Sequence, residues 1–224
     1  MAKHLDPSTA PRREPLTRER VLEAAMRLAD DGGIESLTMR RLGQALGVEA
    51  MSLYNHVANK EDILGGLVAL VLAEAELPTA TDDWEAAVRR LAISTHEALK
   101  RHTWACALIM SSAAARPRRV RYMESLLGQL REAGFSADQT YHAYHVLDSH
   151  ILGFTLWQAG HAIDGRDLAQ FAESFFKQYP PEQYPYLGEH AEQHFTGSAE
   201  GDVTAFELGL DFILDGLKRL RLAA

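Results

Sequence analysis

Cysteine is nearly missing: Cys106 is the one cysteine in 224 residues. An internal disulfide framework is therefore excluded, as expected of a protein kept in a reducing cytoplasm. No apolar run approaches the roughly 18–20 residues that cross a bilayer, and MAKHLDPSTAPRREPLTRER at the start holds no apolar stretch for a secretory signal. A cytoplasmic protein without membrane contact is expected. Catalytic signatures are missing too: there is no phosphate-cradling glycine loop, no G-x-S-x-G and no cysteine motif. Strand-like alternation, two-residue hairpin signals and internal repeats are likewise absent.

Positive charge is scarce, with 23 Lys+Arg against 31 Asp+Glu and a net charge of −8. The deficit is uneven. Residues 1–60 hold 9 basic against 8 acidic side chains, whereas residues 61–224 hold 14 against 23. Within Thr38–Lys60 the basic residues are Arg40, Arg41 and Lys60, and Glu49 is the one acid. A nucleic-acid partner needs a local basic footprint, not a basic protein.

The chain is apolar enough for a sizeable core, at 46% hydrophobic residues, and its patterning is helical throughout. The first fifteen residues are polar and proline-punctuated, an expected flexible arm in which Lys3, Arg12 and Arg13 could meet phosphate. Thr17 can cap a helix striped by Val21, Ala25, Leu28 and Ala29 and stopped by Gly32–Gly33. Thr38 can cap a second, whose apolar side is Leu42, Ala45 and Leu46 and whose stop is Gly47. A third helix of about two turns follows, with Leu53 and Val57 facing inward. Ala50, Ser52, Tyr54, Asn55 and His56 are left outside. Two short helices around a tight turn make a helix-turn-helix, the second sized for a DNA major groove. Asn59 caps the next helix, Asp62 echoes a capping box, and helical signal continues from Trp84 to the end. An all-α protein is expected. Its parts are a flexible arm at 1–15, a three-helix DNA-binding domain with the helix-turn-helix at 16–62, and a helical domain at 63–224, whose ligand-binding and dimerisation role is what the resemblance described next implies.

The pattern L-G-V-x-x-x-x-L-Y-x-H-V-x-N-K over Leu46–Lys60 resembles the DNA-binding segment of the TetR family of bacterial transcriptional regulators, and the resemblance runs from near Leu16 to about Leu72. Trp84–Gly160 resembles the carboxy-terminal regulatory domain of the tetracycline-repressor branch. It does so through Asp83-Trp84, His102-Thr103-Trp104, Leu130–Ser136 and Ile151–Phe154, and Phe206–Leu210 fits as well. The resemblance implies a homodimeric regulator, not an enzyme, most simply a repressor that a small-molecule effector releases from a palindromic double-stranded DNA operator. It implies that Arg40, Ala50, Met51 and Ser52 approach base edges, while Thr38, Tyr54, His56 and Lys60 approach phosphates, with Asn55 on the same face. Ala50 and Met51 offer apolar contact only, so Arg40, which can grip guanine bidentately, is the expected base reader.

Trp104, Met110, Tyr122, Tyr141, Tyr144, His145 and Trp157 are expected to line a pocket for an apolar, ring-containing ligand. Ser149, Gly153, Gly209, Phe212, Ile213 and Gly216 are expected at the dimer interface, where small residues admit a partner helix, although a protein's own core exploits them equally. An operator with half-sites one DNA turn apart, ~34–36 Å, calls for two-fold pairing of such domains. No cofactor and no metal are expected. His142, His145 and Asp148 (i, i+3, i+6) and His190 and His194 (i, i+4) are read as solvated or hydrogen-bonded histidines. At the positions where the tetracycline repressor ligates magnesium stand Ile109 and Gly160, which cannot do so. A helical enzyme using His145 and Asp148 as an acid–base pair is the competing reading, but no nucleophile or oxyanion donor accompanies them. The cluster Arg116, Arg118, Arg119 and Arg121 reads most simply as the solvated start of a helix.

Overall fold

The computed structural model describes residues 15–78, 83–111, 117–160, 168–196 and 204–223. The expected arm, with Lys3, Arg12 and Arg13, lies outside them but for Pro15, as do Arg116 and the side chains of Arg118 and His194. Among the described residues the regular structure is helical, without strands. No helix there is long and apolar enough to cross a membrane. Two compact units meet in sequence at Leu67/Val68.

In the first unit, Thr17 Oγ1 accepts the Arg20 N–H at 3.3 Å and starts α1 (Arg18–Gly32). Its buried stripe is Val21, Leu22, Ala24, Ala25 and Ala29. Thr38 Oγ1 accepts the Arg41 N–H at 3.2 Å and starts α2 (Met39–Leu46), which Gly47 stops in the left-handed conformation at φ 67°. Leu42 is fully buried, but Ala45, expected on the same apolar side, is exposed. The next helix, α3, spans Ala50–Leu53, one turn and not the expected two. Beyond Leu53 the backbone N–H groups of Tyr54, Asn55 and His56 reach back three residues, to the carbonyls of Met51, Ser52 and Leu53. The chain there tightens into a turn of the 3-10 kind, as helix ends commonly do.

Asn59 then caps α4 (Lys60–Ala73), accepting the Asp62 N–H at 2.8 Å. The Asp62 carboxylate accepts from Ala58 N at 3.0 Å, one residue earlier than a capping box requires. Gly66 of α4 lies so close to α1 that a Cβ would meet Leu22 Cδ2 at 2.6 Å.

The second unit contains α5 (Trp84–Arg101), α6 (Trp104–Met110), α7 (Pro117–Glu132), α8 (Ala137–Gly160), α9 (Leu168–Gln178), α10 (Pro185–Thr196) and α11 (Ala205–Leu222). Asp83 caps α5, Ser136 and Gln139 exchange hydrogen bonds at the start of α8, and Thr204 and Glu207 form a capping box on α11. The long helix α8 packs on α5, α7 and α11. Leu91, Leu99, Leu126, Leu130, Leu147 and Ile151 fill the space between them. Trp84 meets Phe135 edge to face at 5.2 Å, with the Arg221 guanidinium over its ring. Helices α9 and α10 pair through a cluster of Phe171, Phe175, Phe176 and Phe195.

Cys106 is buried, and burial pushes its thiol up to about 11. A thiol so held is a packing element and a poor nucleophile.

Candidate nucleic-acid interface and ligand cavity

The turn between α2 and α3 is tight because position 43 is glycine. A Cβ there would lie 2.8 Å from the Val48 carbonyl oxygen and 3.2 Å from Ala50 N. The Val48 N–H instead closes on the Gly43 carbonyl at 2.9 Å. The sequence reading names Gly47 as the helix stop and does not single out Gly43. The extra signal was an interior helical glycine, which costs stability unless something must come close.

Leu53 and Val57 are buried beneath α3 and its following turn. Above them Met51 is 75% exposed and Tyr54 46% exposed, with Asn55, Thr38 and Arg40 also exposed. Ala50, Ser52, His56 and Lys60 are half-buried. Thr38 uses its oxygen as a helix cap, which leaves the hydroxyl proton to donate to a phosphate.

One residue missed in the sequence braces this surface. Arg18, at the start of α1, donates from Nη1 and Nη2 to both Asp62 carboxylate oxygens at 2.7 Å each. Nη1 also reaches the His56 carbonyl at 3.4 Å. The hydrogen bonds from Arg18, then that from the Ala58 N–H, hold the Asp62 carboxyl down to about 2.

In the second unit, Tyr122 and Tyr144 are buried and line a cavity with Leu72, Thr95, Leu99, Ile109, Arg119, Asp148, Ile151 and Leu152. Its volume is about 10 Å³, room for one water and no more. The polar wall is made by Thr95, Arg119, Asp148 and the two tyrosines. Arg119 lies 3.9 Å from Asp148 and donates to the Ile109 carbonyl at the end of α6. Burial raises the Tyr122 and Tyr144 phenols and the Asp148 carboxyl above their ordinary ranges, with Arg119 opposing the last. An open groove of about 300 Å³ shares Arg119, Asp148 and Leu152 with the cavity and adds Met110, Ser149 and Gly153.

The expected lining is thus split. Tyr122 and Tyr144 come together. Met110, 56% exposed, belongs to the groove, while Tyr141, His145 and Trp157 are exposed and Trp104 half-buried, all four outside the cavity wall. The reason is angular: α8 carries apolar and aromatic residues all round, so its composition does not say which face turns inward. Thr95, Arg119 and Asp148 are the polar lining residues missed in the sequence, beside the apolar Leu72, Leu99, Ile109, Ile151 and Leu152. Arg119, read as part of a solvated cluster, is instead drawn inward by Asp148.

Ser149 and Gly153 are exposed on α8, on one helical stripe with Val146, Leu156 and Trp157. On α11, Phe212 is 68% exposed beside half-buried Ile213 and Gly216. Gly209 is different: a Cβ there would meet His150 Cε1 of α8 at 2.6 Å. Its smallness serves packing within the chain.

His142, His145 and Asp148 have other partners. His142 Nε2 lies 3.7 Å from Asp138, His145 Nδ1 donates to the Tyr141 carbonyl at 2.8 Å, and Asp148 faces Arg119. His190 is exposed. Among the described residues no three His, Cys, Asp or Glu side chains gather as a metal site.

Two family models match. Residues 21–67 fit "Bacterial regulatory proteins, tetR family" and residues 77–221 fit "Tetracyclin repressor-like, C-terminal domain". The chain is 30% identical over 224 residues to the HTH-type transcriptional repressor DrrR1 of Streptomyces coeruleorubidus, covering 96% of this chain and 81% of that one. It superposes on ActR of Streptomyces coelicolor in complex with actinorhodin with a TM-score of 0.69 at 26% identity, covering 92% and 98% of the two chains. BioQ with its double-stranded DNA operator matches with a TM-score of 0.63 at 26% identity, covering 92% and 99%. With an exposed, braced helix-turn-helix in one unit and a polar-walled cavity in the other, the chain belongs to the TetR family of bacterial transcriptional regulators.

Proposed function

We propose that this regulator is a homodimeric repressor that holds a palindromic operator through residues 16–62 and releases it when a small molecule occupies residues 63–224. The carrying observation is the outward tip formed by Met51, Tyr54 and Asn55 over buried Leu53 and Val57. Ala50, Met51 and Ser52 face base edges, with apolar contact to thymine methyl groups, and Arg40 grips guanine. Thr38, Tyr54, His56 and Lys60 take phosphates and set the register. Exposed residues on α8 and α11, among them Ser149, Gly153 and Phe212, form the two-fold interface. BioQ in its operator complex and DrrR1, a repressor by name, support the DNA half of this reading.

The effector site is the cavity at Tyr122 and Tyr144. A small-molecule pocket usually occupies about 300–1,000 Å³, far more than the water-sized space observed. The effector therefore opens this region, entering by the groove that shares Arg119 and Asp148. ActR with actinorhodin shows a similar protein holding a small molecule. The coupling is limited by the effector's preference for one state, typically ~1–3 kcal/mol.

The test is affinity for a palindromic operator and for its scrambled counterpart, measured against salt for the parent and Tyr54→Ala. The parent prefers the operator and Tyr54→Ala weakens that binding. If neither protein distinguishes the two DNAs, the proposal fails.

A further inference from the structure

We infer that Arg18 is a positioning residue for DNA recognition, holding the turn after α3 and the start of α4 in register without touching the DNA itself. The inference rests on the reading of α3 and its turn as the DNA-facing element. That element is short, and its middle is loosely bonded: the Tyr54 and Asn55 N–H groups reach their acceptors at 3.3 and 3.4 Å, the long end of hydrogen-bond range, before His56 and Val57 close on the Leu53 carbonyl at 2.9 and 3.0 Å. Tyr54, His56 and Lys60, three proposed phosphate contacts, all sit on this turn or at its exit. A tie from outside the turn would fix how this turn meets the start of α4.

Arg18 has the geometry for it. Its fork takes both Asp62 oxygens at 2.7 Å and leaves Nη1 at 3.4 Å from the His56 carbonyl. Asp62 in turn accepts the Ala58 N–H and gives its own N–H to Asn59. One guanidinium on α1 thus reaches the turn at residues 56–58 and the first helical turn of α4. A planar, bidentate pair fixes orientation as well as distance, which a lysine ammonium cannot do.

Charge and position make opposite predictions for Asp62. If Arg18 and Asp62 acted on DNA through their charges, removing the carboxylate would strengthen binding and removing the guanidinium would weaken it. If they act by holding the turn, both removals weaken specific binding.

The experiment uses the full chain, its DNA the sequence the parent selects from a random pool, and the variants Arg18→Met, Asp62→Asn, their double and Arg18→Lys. Each single neutral variant is expected to lose roughly three- to thirtyfold in specific affinity. The double is expected to lose no more than the worse single, because the pair acts as a unit. Arg18→Lys recovers part of the loss. Non-specific affinity and the slope of affinity against salt stay at parental values. Opposite signs for Arg18→Met and Asp62→Asn, additive losses, or no loss overturn the inference. So does a salt slope reduced by about one phosphate in Arg18→Met, the mark of direct contact. Thermal melts of each variant identify any that is unfolded at the assay temperature, and Arg18→Lys then carries the comparison. A parent that selects no sequence defeats the DNA-binding reading instead, which separates the two failures.

Discussion

Acid should loosen the second unit through one buried imidazole, and the size of the effect follows from its surroundings. His96 on α5 is 4% exposed and lies against the Phe206 ring at 3.9 Å. Its Nδ1 is 2.7 Å from Thr155 Oγ1, and that hydroxyl gives its proton to the Ile151 carbonyl at 2.6 Å. The Thr155 oxygen must therefore accept, which places a proton on His96 Nδ1. Burial lowers this histidine to about 4, with Glu97 opposing and Lys100 and His150 adding to the shift. A depressed value means that the folded state resists protonation. Stability is then full above the unfolded value near 6.5 and falls as the pH drops from there toward 4. Between pH 7.5 and pH 5 these two values imply a loss of about 2 kcal/mol. The assay is urea unfolding at fixed protein concentration at both pH values, for the parent and His96→Phe. The substitution costs about 1 kcal/mol at pH 7.5 for the lost hydrogen bond, but the variant should lose about 2 kcal/mol less than the parent on going to pH 5. Parallel losses in the two proteins would refute the reasoning.

Three further outcomes are expected. Gly43→Ala pushes a Cβ to within 2.8 Å of the Val48 carbonyl oxygen, so unit-one stability, read by thermal melting, should fall by about 1–3 kcal/mol and operator affinity with it. Phe212→Glu places a charge on an exposed ring of α11; sedimentation should find the parent dimeric, as proposed, and the variant monomeric, with secondary structure unchanged by circular dichroism. The Arg18–Asp62 pair loses its benefit as pH falls from about 5 through 2, the folded value of Asp62. Because both groups are partly exposed, that benefit is discounted for solvent screening to about 1 kcal/mol, measured as the difference between the parent and Asp62→Asn.

Much of the scaffold was legible in the sequence, because caps and apolar spacing are local. Thr17, Thr38 and Asn59 all stand at helix starts, and Leu53 and Val57 are buried four residues apart. The length of α3 was not legible. The same Leu53–Val57 spacing suits a full helix or one that tightens into a three-residue reach after one turn. Nor were the cavity walls. Helix α8 buries Leu147, Ile151 and Leu152 and exposes Val146, Leu156 and Trp157, so periodicity gave no single inner face. Arg119 and Arg18 resembled other exposed cations until their partners, Asp148 and Asp62, were brought in from distant sequence. Gly209 was ambiguous for the same reason: its neighbour His150 lies on another helix.

Selection of bound sequences from a random DNA pool, followed by footprinting, tests the central claim most directly. Two inverted half-sites, centred about one helical turn apart, ~34–36 Å, and protected in the major groove, are expected for the parent. Their enrichment should vanish in a variant carrying Arg40→Ala and Tyr54→Ala. A pool that stays unenriched with the parent, or enrichment that survives loss of both side chains, would contradict DNA reading by this surface.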